Sequence, residues 1–167
     1  MAFWSKMSKS FGLNDETWMR HANPLSVYTR YTGLPLIVFS VWSRVWIGWY
    51  SLIPIIISLI WLKVNPSAFP KPKSTDNWAS KCVLGERVWL NDKKIPISKN
   101  HKLAANALIA VSSVFSLIMV YGLVVLDPWL SGIGCMMAFI FKLWFADRMV
   151  WLFNDMKSHK EYKKWLY

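Results

Sequence analysis

The stretch LPLIVFSVWSRVWIGWYSLIPIIISLIWL, residues 34–62, decides how often this chain can cross a membrane. Arg44 is its only charged residue. As one helix the stretch would measure roughly 43 Å, whereas the hydrocarbon core of a bilayer is roughly 30 Å thick. A single crossing would therefore have to be steeply tilted, while a turn at residues 43–48 would give two short crossings.

The distribution of basic residues favours two crossings. If residues 34–62 form a hairpin, both termini and the segment 63–102 lie on one side of the membrane, together with 19 of the 20 lysines and arginines. A single crossing would instead divide these residues 9 against 10. Lysine and arginine accumulate on the cytoplasmic side of membrane proteins. We therefore predict a multi-pass protein of the cell membrane (the inner or plasma membrane) with both termini in the cytoplasm.

The bulk composition indicates a membrane protein rather than a nucleic-acid-binding one. The chain has 167 residues, a formal net charge of +11 and 54% hydrophobic residues. A basic nucleic-acid binder would match the charge but would not need long uncharged apolar segments. The 12 tryptophans agree with a membrane location, because amphipathic aromatic side chains gather at bilayer interfaces. The expected partner is therefore the lipid bilayer, and no nucleic acid.

We predict an all-α fold, namely a four-transmembrane-helix bundle that forms a single membrane domain. The domain covers residues 1–167, with spans at about 27–45, 46–63, 103–126 and 129–153 and an interfacial loop at 64–102. The third span carries no charge and contains small residues, which allow helices to approach closely in lipid. Asp127 and Pro128 are expected to form the outer turn.

The segment STDNWASKCVLGERVWLN, residues 74–91, is expected to form an amphipathic helix at the cytoplasmic face, between spans 2 and 3. At about 100° per residue its apolar side chains share one side. Ser80, Arg87 and Asn91 lie opposite. Glu86 is the exception, because it falls inside the apolar stripe. A carboxylate there must find a partner or change its pKa, since burying it unpaired costs free energy.

The fourth span carries the second group of polar residues, around Asp147. Trp144 and Trp151 lie on the same side of the helix as this acid. Asp147 is roughly 27 Å along the axis from the outer turn, which places it at the cytoplasmic boundary. The topology thus gathers charged and aromatic residues at one face. The predicted ligand-binding residues there are Arg20, Arg30, Asp76, Trp78, Arg87, Arg148 and Trp151.

Three interpretations of this face stay open. The acids and arginines can form an ion-pair network that holds the loop against the helical bundle. They can bind an anionic lipid headgroup, since the planar guanidinium of arginine suits phosphate oxygens. They can also form a catalytic or metal site.

The leading hypothesis is a membrane-embedded binding or accessory protein. Its ligand would be an anionic lipid headgroup or a partner membrane subunit, and the chain would be a homo-oligomer or part of a larger membrane complex. The alternative is a small membrane enzyme acting on a lipid-soluble substrate, with Glu86 or Asp147 as general base and His21 assisting. The three histidines are too few and too scattered for a diiron site. No metal and no cofactor is expected.

Two local predictions follow from the cost of burying charge. Glu86 and Asp147 should each have an arginine within salt-bridge distance, and for Asp147 the expected partner is Arg30 or Arg87. His101 and His159 lie in lysine-rich flanks and are expected to be solvated.

Four blocks of sequence are long enough to be specific. They are RHANPLSVYTR (residues 20–30), WSRVWIGW (42–49), STDNWASKCVLGERVWLN (74–91) and KLWFADRMVW (142–151). Together they resemble an uncharacterised family of small prokaryotic membrane proteins, a domain-of-unknown-function family. The resemblance covers about residues 16–156 and implies the same four-span organisation. It implies no activity.

Overall fold

The computed structural model describes residues 15–167, and every regular element in that part of the chain is helical. The first half contains α1 (Asp15–His21), α2 (Pro24–Tyr31), α3 (Gly33–Trp42), α4 (Arg44–Ile47), a 3-10 turn (Gly48–Ser51) and α5 (Leu52–Ala68). The second half contains α6 (Trp78–Leu90), α7 (Lys99–Val125), α8 (Pro128–Met156) and α9 (Lys160–Lys163). The predicted all-α class is confirmed for these residues.

Three segments are long and apolar enough to cross a membrane, namely Pro24–Ala68, Lys99–Val125 and Pro128–Met156. The first has 45 residues and does not run straight. At Gly48 the backbone has a φ of +56°, a conformation that favours glycine because glycine has no Cβ. After this turn α5 returns alongside α3, and the hydroxyl groups of Ser40 and Ser58 lie 3.0 Å apart.

Polar caps determine where two of the helices begin. The Asn23 side chain accepts the N–H of Leu25 at 2.9 Å. The Asp127 side chain accepts the N–H of Leu130 at 2.8 Å. A proline follows each cap as the first helical residue, where its missing N–H leaves no hydrogen bond unmade. These Asn-Pro and Asp-Pro pairs therefore start α2 and α8.

Helix α6 is buried on most of its surface, which differs from the amphipathic surface helix expected from the sequence. Its buried residues are Ala79, Ser80, Cys82, Val83, Leu84, Gly85, Val88 and Trp89. Ser80, predicted to lie on the polar side, is fully buried and donates a hydrogen bond to the Ala22 carbonyl at 2.7 Å. One side of α6 packs on α8 and another on α1 and α2. Helical periodicity cannot show that second contact.

The C-terminal segment is packed onto the same core. Tyr162 is 0% exposed and shares a hydrophobic cluster with Leu84 and Phe153. The backbone N–H of Thr75 donates to the Tyr167 carbonyl at 2.8 Å, and its hydroxyl donates to the Trp165 carbonyl at 2.7 Å. The loop before α6 is therefore held by residues from the far end of the sequence.

His101 is not solvated, contrary to the prediction. It is 9% exposed, and its Nε2 lies 2.7 Å from a carboxylate oxygen of Asp155. This contact links the start of α7 to the end of α8. The prediction failed because it considered the lysines next to His101 in sequence and not the antiparallel helix beside it.

Arg44 links the first half of the chain to the end of α7. Its guanidinium donates to the carbonyl of Leu123 and, at 3.0 Å, to that of Val124. These are among the last carbonyls of α7, which have no helical partner and carry the negative end of the helix dipole. Nearby, the Trp42 indole donates to the Ser131 hydroxyl at 3.1 Å.

Candidate functional site

A cavity of about 270 Å³ lies between the end of α2, α7 and α8. Its lining consists of Arg30, Tyr31, Leu34, Ser112, Ser116, Ala138, Phe139 and Lys142. Two of these residues are cations and none is an acid. We call this space the Arg30–Lys142 cavity.

Arg30 is held in place by a small polar cluster. Its Nη1 donates to Nε2 of His21, so the imidazole proton lies on Nδ1, which faces the Ser26 hydroxyl at 3.5 Å. Ser26 in turn donates to the side-chain oxygen of Asn65 at 3.0 Å. Asn65 is fully buried and donates to the Thr29 hydroxyl at 2.8 Å. This cluster joins α2 to α5 and fixes one side of the cavity.

His21 supplies no charge to this cluster at neutral pH. Burial lowers the pKa of its imidazole well below the usual value, and the nearby positive charges of Arg30 and Lys142 lower that pKa further. A neutral imidazole can accept the Arg30 hydrogen bond. His21 is therefore a positioning residue for Arg30, and its ring nitrogens face groups of the protein.

Lys142 also lines a second, smaller space, of about 120 Å³, next to Glu86. The two spaces share Lys142 and Ser112. Burial and the charge of the Glu86 carboxylate raise the pKa of the Cys82 thiol to about 11. Cys82 is therefore a neutral thiol at physiological pH and not a reactive thiolate.

Three of the predicted arginines lie away from this cavity. Arg20 donates to the carbonyls of Ser67 and, at 3.0 Å, Phe69, at the end of α5. Arg87 is paired with Asp15, and its guanidinium lies 4.1 Å from the ring centre of Trp165. Arg148 lies over the ring of Trp151, 5.0 Å from its centre.

Arg87 lines a separate, more polar cavity of about 390 Å³. Lys94 and Lys164 add positive charge there, but Asp15 and Glu161 line the same space. Cations and acids therefore offset one another in this cavity, unlike in the Arg30–Lys142 cavity.

The predicted arginine partners of Glu86 and Asp147 are wrong for residues 15–167. Asp147 instead accepts a hydrogen bond from the Trp78 indole at 3.1 Å. Glu86 has no salt bridge to another described residue. The Trp78 indole satisfies Asp147 as a neutral hydrogen-bond donor, without a second charge.

Asp76 pairs with Lys81, and the hydrogen bond from Lys81 lowers the pKa of the exposed Asp76 carboxyl group.

Sequence reasoning missed most of the cavity lining. Lys142 was not among the residues predicted to bind a ligand. Ser112 and Ser116 lie in the third span, whose small residues were expected to allow close packing. Their spacing of four residues places both on one side of α7. A polar pair of this kind on an otherwise apolar span was the available signal. Within residues 15–167, no group of three His, Cys, Asp or Glu side chains is placed to bind a metal ion.

Comparison with known proteins gives a family and nothing about activity. No curated protein and no solved structure matches the chain. Residues 2–166 match the family of unknown function DUF6653. This match is longer than the stretch suggested by the four sequence blocks, and it includes the C-terminal segment that packs on the core. The resemblance is thus confirmed, and the chain belongs to the family of unknown function DUF6653.

Proposed function

We propose that this chain is an integral membrane protein that binds the anionic headgroup of a lipid in the Arg30–Lys142 cavity. The observation behind the proposal is that, among residues 15–167, the lining of this cavity includes two cations and no acid, next to apolar helices. An anion in the cavity would offset both positive charges and would accept hydrogen bonds from both side chains. Hydrogen bonds between charged groups are stronger than those between neutral groups.

The proposal includes four crossings, with α6 and both termini on the cytoplasmic side. The antiparallel course of α3 and α5 supports this arrangement. Pro24–Trp42 spans roughly 28 Å and α5 roughly 26 Å, close to the thickness of the hydrocarbon core. Arg44 is also the one basic residue of the sequence on the opposite side in this arrangement, as expected if positive charge is retained in the cytoplasm.

Labelling of single cysteines tests the crossings, in a background with Cys82 and Cys135 replaced. Lys73→Cys and Lys160→Cys should react with a membrane-impermeant maleimide only from the cytoplasmic side. Trp49→Cys should react only from the outside, since Trp49 is exposed beside the Gly48 turn. Labelling of Lys73→Cys and Lys160→Cys from opposite sides would exclude the four-crossing arrangement.

Removing one cation tests headgroup binding. In the purified protein in phosphatidylcholine nanodiscs, hexadecyl phosphate should bind more tightly than hexadecanol. Lys142→Gln should weaken hexadecyl phosphate binding about tenfold, because one charged hydrogen bond is lost. Native mass spectrometry gives both dissociation constants. Lys142 is preferable to Arg30 for this test, because it is exposed and does not hold His21.

A matched control removes the same charge elsewhere. Lys93 is exposed and lies outside the cavity, so Lys93→Gln should leave binding of hexadecyl phosphate unchanged. Equal loss in Lys93→Gln and Lys142→Gln would indicate general attraction to the basic surface and would contradict the proposal. So would equal affinity of the wild-type protein for the phosphate and the alcohol.

A further inference from the structure

An apolar groove of about 480 Å³ runs between α3 and α4 on one side and the first half of α8 on the other. One wall is formed by residues that include Pro35, Phe39 and Trp46, and the other by residues that include Gly132, Met136 and Phe139. The groove opens to the outer surface of the bundle, because Phe39 and Trp46 are exposed.

The groove adjoins the Arg30–Lys142 cavity. Phe139 lines both spaces. Its ring packs edge-on against Tyr31, with ring centres 6.0 Å apart, and Tyr31 lines the cavity as well. Leu34 lines the cavity and Pro35, the next residue, lines the groove. A molecule bound in the cavity therefore has an apolar path beside it.

The path has the length and direction of a lipid chain. On α8 the combined lining extends from Pro128 to Lys142, which corresponds to roughly 21 Å along the helix axis. The two cations are at one end and only apolar or small residues follow. This is the polarity of an amphipathic molecule with one charged end.

We infer that the ligand of the cavity is a lipid phosphate monoester whose single long chain lies in the groove. This inference rests on the proposed function and adds the substrate class. Arg30 uses one of its N–H donors on His21, and Lys142 has three. Together they offer more donors than the two oxygens of a carboxylate need, whereas a phosphate monoester presents three oxygens. One groove adjoins the cavity through Phe139, so one chain is accommodated.

Filling the groove distinguishes the contribution of the lipid chain to binding from that of the headgroup. A Cβ added at Gly132 meets no atom within 4 Å, so Gly132→Trp places an indole in the groove without striking the backbone. Ile133 is exposed on the same helix and does not line the groove, so Ile133→Trp adds the same ring on another side. The probes are butyl phosphate, hexadecyl phosphate and geranylgeranyl phosphate.

We expect Gly132→Trp to weaken binding of at least one long-chain phosphate tenfold or more and to leave butyl phosphate binding unchanged. Ile133→Trp should bind all three compounds like the wild type. The inference is supported if the wild type binds either long-chain compound tightly and Gly132→Trp abolishes that binding. The long-chain compound that binds more tightly then assigns the lipid chain as alkyl or isoprenoid.

Three results would overturn the assignment of the groove to a lipid chain. They are unchanged long-chain binding in Gly132→Trp, equal loss in Ile133→Trp, and equal affinity of the wild type for butyl and long-chain phosphates. If Lys142→Gln still weakens phosphate binding in those cases, headgroup binding stands and only the chain assignment is wrong. If Lys142→Gln has no effect, the proposed function fails as well.

Discussion

Replacing Gly85 by alanine is expected to lower the free energy of unfolding by about 3 kcal/mol, the upper end for an overpacked core. Gly85 lies where α6 crosses α8, and a Cβ built there would overlap the carbonyl group of Met149. Backbone atoms cannot turn aside as a flexible side chain can, so the two helices have to separate. Their shared cluster, which includes Val88 and Phe153, would loosen with them.

Thermal unfolding of the purified protein in detergent measures this effect, with Gly132→Ala as the matched control. Gly132 is also helical, but an added Cβ there meets open space. Alanine favours a helix over glycine by about 0.5–1 kcal/mol, so the control should unfold at the same temperature or slightly higher. A Gly85→Ala protein as stable as the wild type would contradict the close crossing of α6 and α8.

Truncation of Tyr162 to alanine is expected to cost about 3–5 kcal/mol, as for a fully buried aromatic side chain. This residue belongs to the same cluster as Leu84 and Met149, although it comes from the last short helix, α9. Its ring also packs against Trp165, with ring centres 4.9 Å apart. Losing it would release the C-terminal segment from the core.

The variant Tyr162→Phe separates packing from hydrogen bonding. It keeps the ring and removes only the bond that Asn91 donates to the Tyr162 hydroxyl at 3.0 Å. The expected cost is about 1 kcal/mol. Both variants can be compared by their unfolding temperatures in one detergent. Equal, small shifts for the two variants would mean that α9 does not contribute to the core.

The helices and their ends were largely predictable, because their signals are local. Apolar length marks α7 and α8, and the pairs Asn23-Pro24 and Asp127-Pro128 mark two starts. The turn at Gly48 followed from the length and charge of residues 34–62. The burial of α6 was not predictable in the same way. Its second packing surface comes from α1 and α2, far away in sequence.

The candidate site was predictable only in part, because it depends on pairs of side chains from different helices. Arg30 was named from the sequence, and His21 was named only as an assisting residue of the alternative enzyme; the hydrogen bond between the two was not predicted. Asp147 was expected to pair with an arginine and instead accepts a hydrogen bond from the Trp78 indole. An acid near a bilayer needs a donor, and the sequence cannot tell which of several nearby donors the fold brings within reach.

The first hairpin (α3 to α5) and the second hairpin (α7 and α8) are connected by hydrogen bonds near Arg44, and this affects how a ligand would enter and leave the groove. The walls of the groove belong to different hairpins, and at that end Arg44 and Trp42 join them through hydrogen bonds to α7 and α8. If a lipid chain occupies the groove as proposed, it would leave sideways, between the walls of the groove, without passing through water. Exchange would then be governed by how readily the hairpins part and by the fluidity of the surrounding bilayer. Salt concentration, which screens charges in water, would have little influence on its rate.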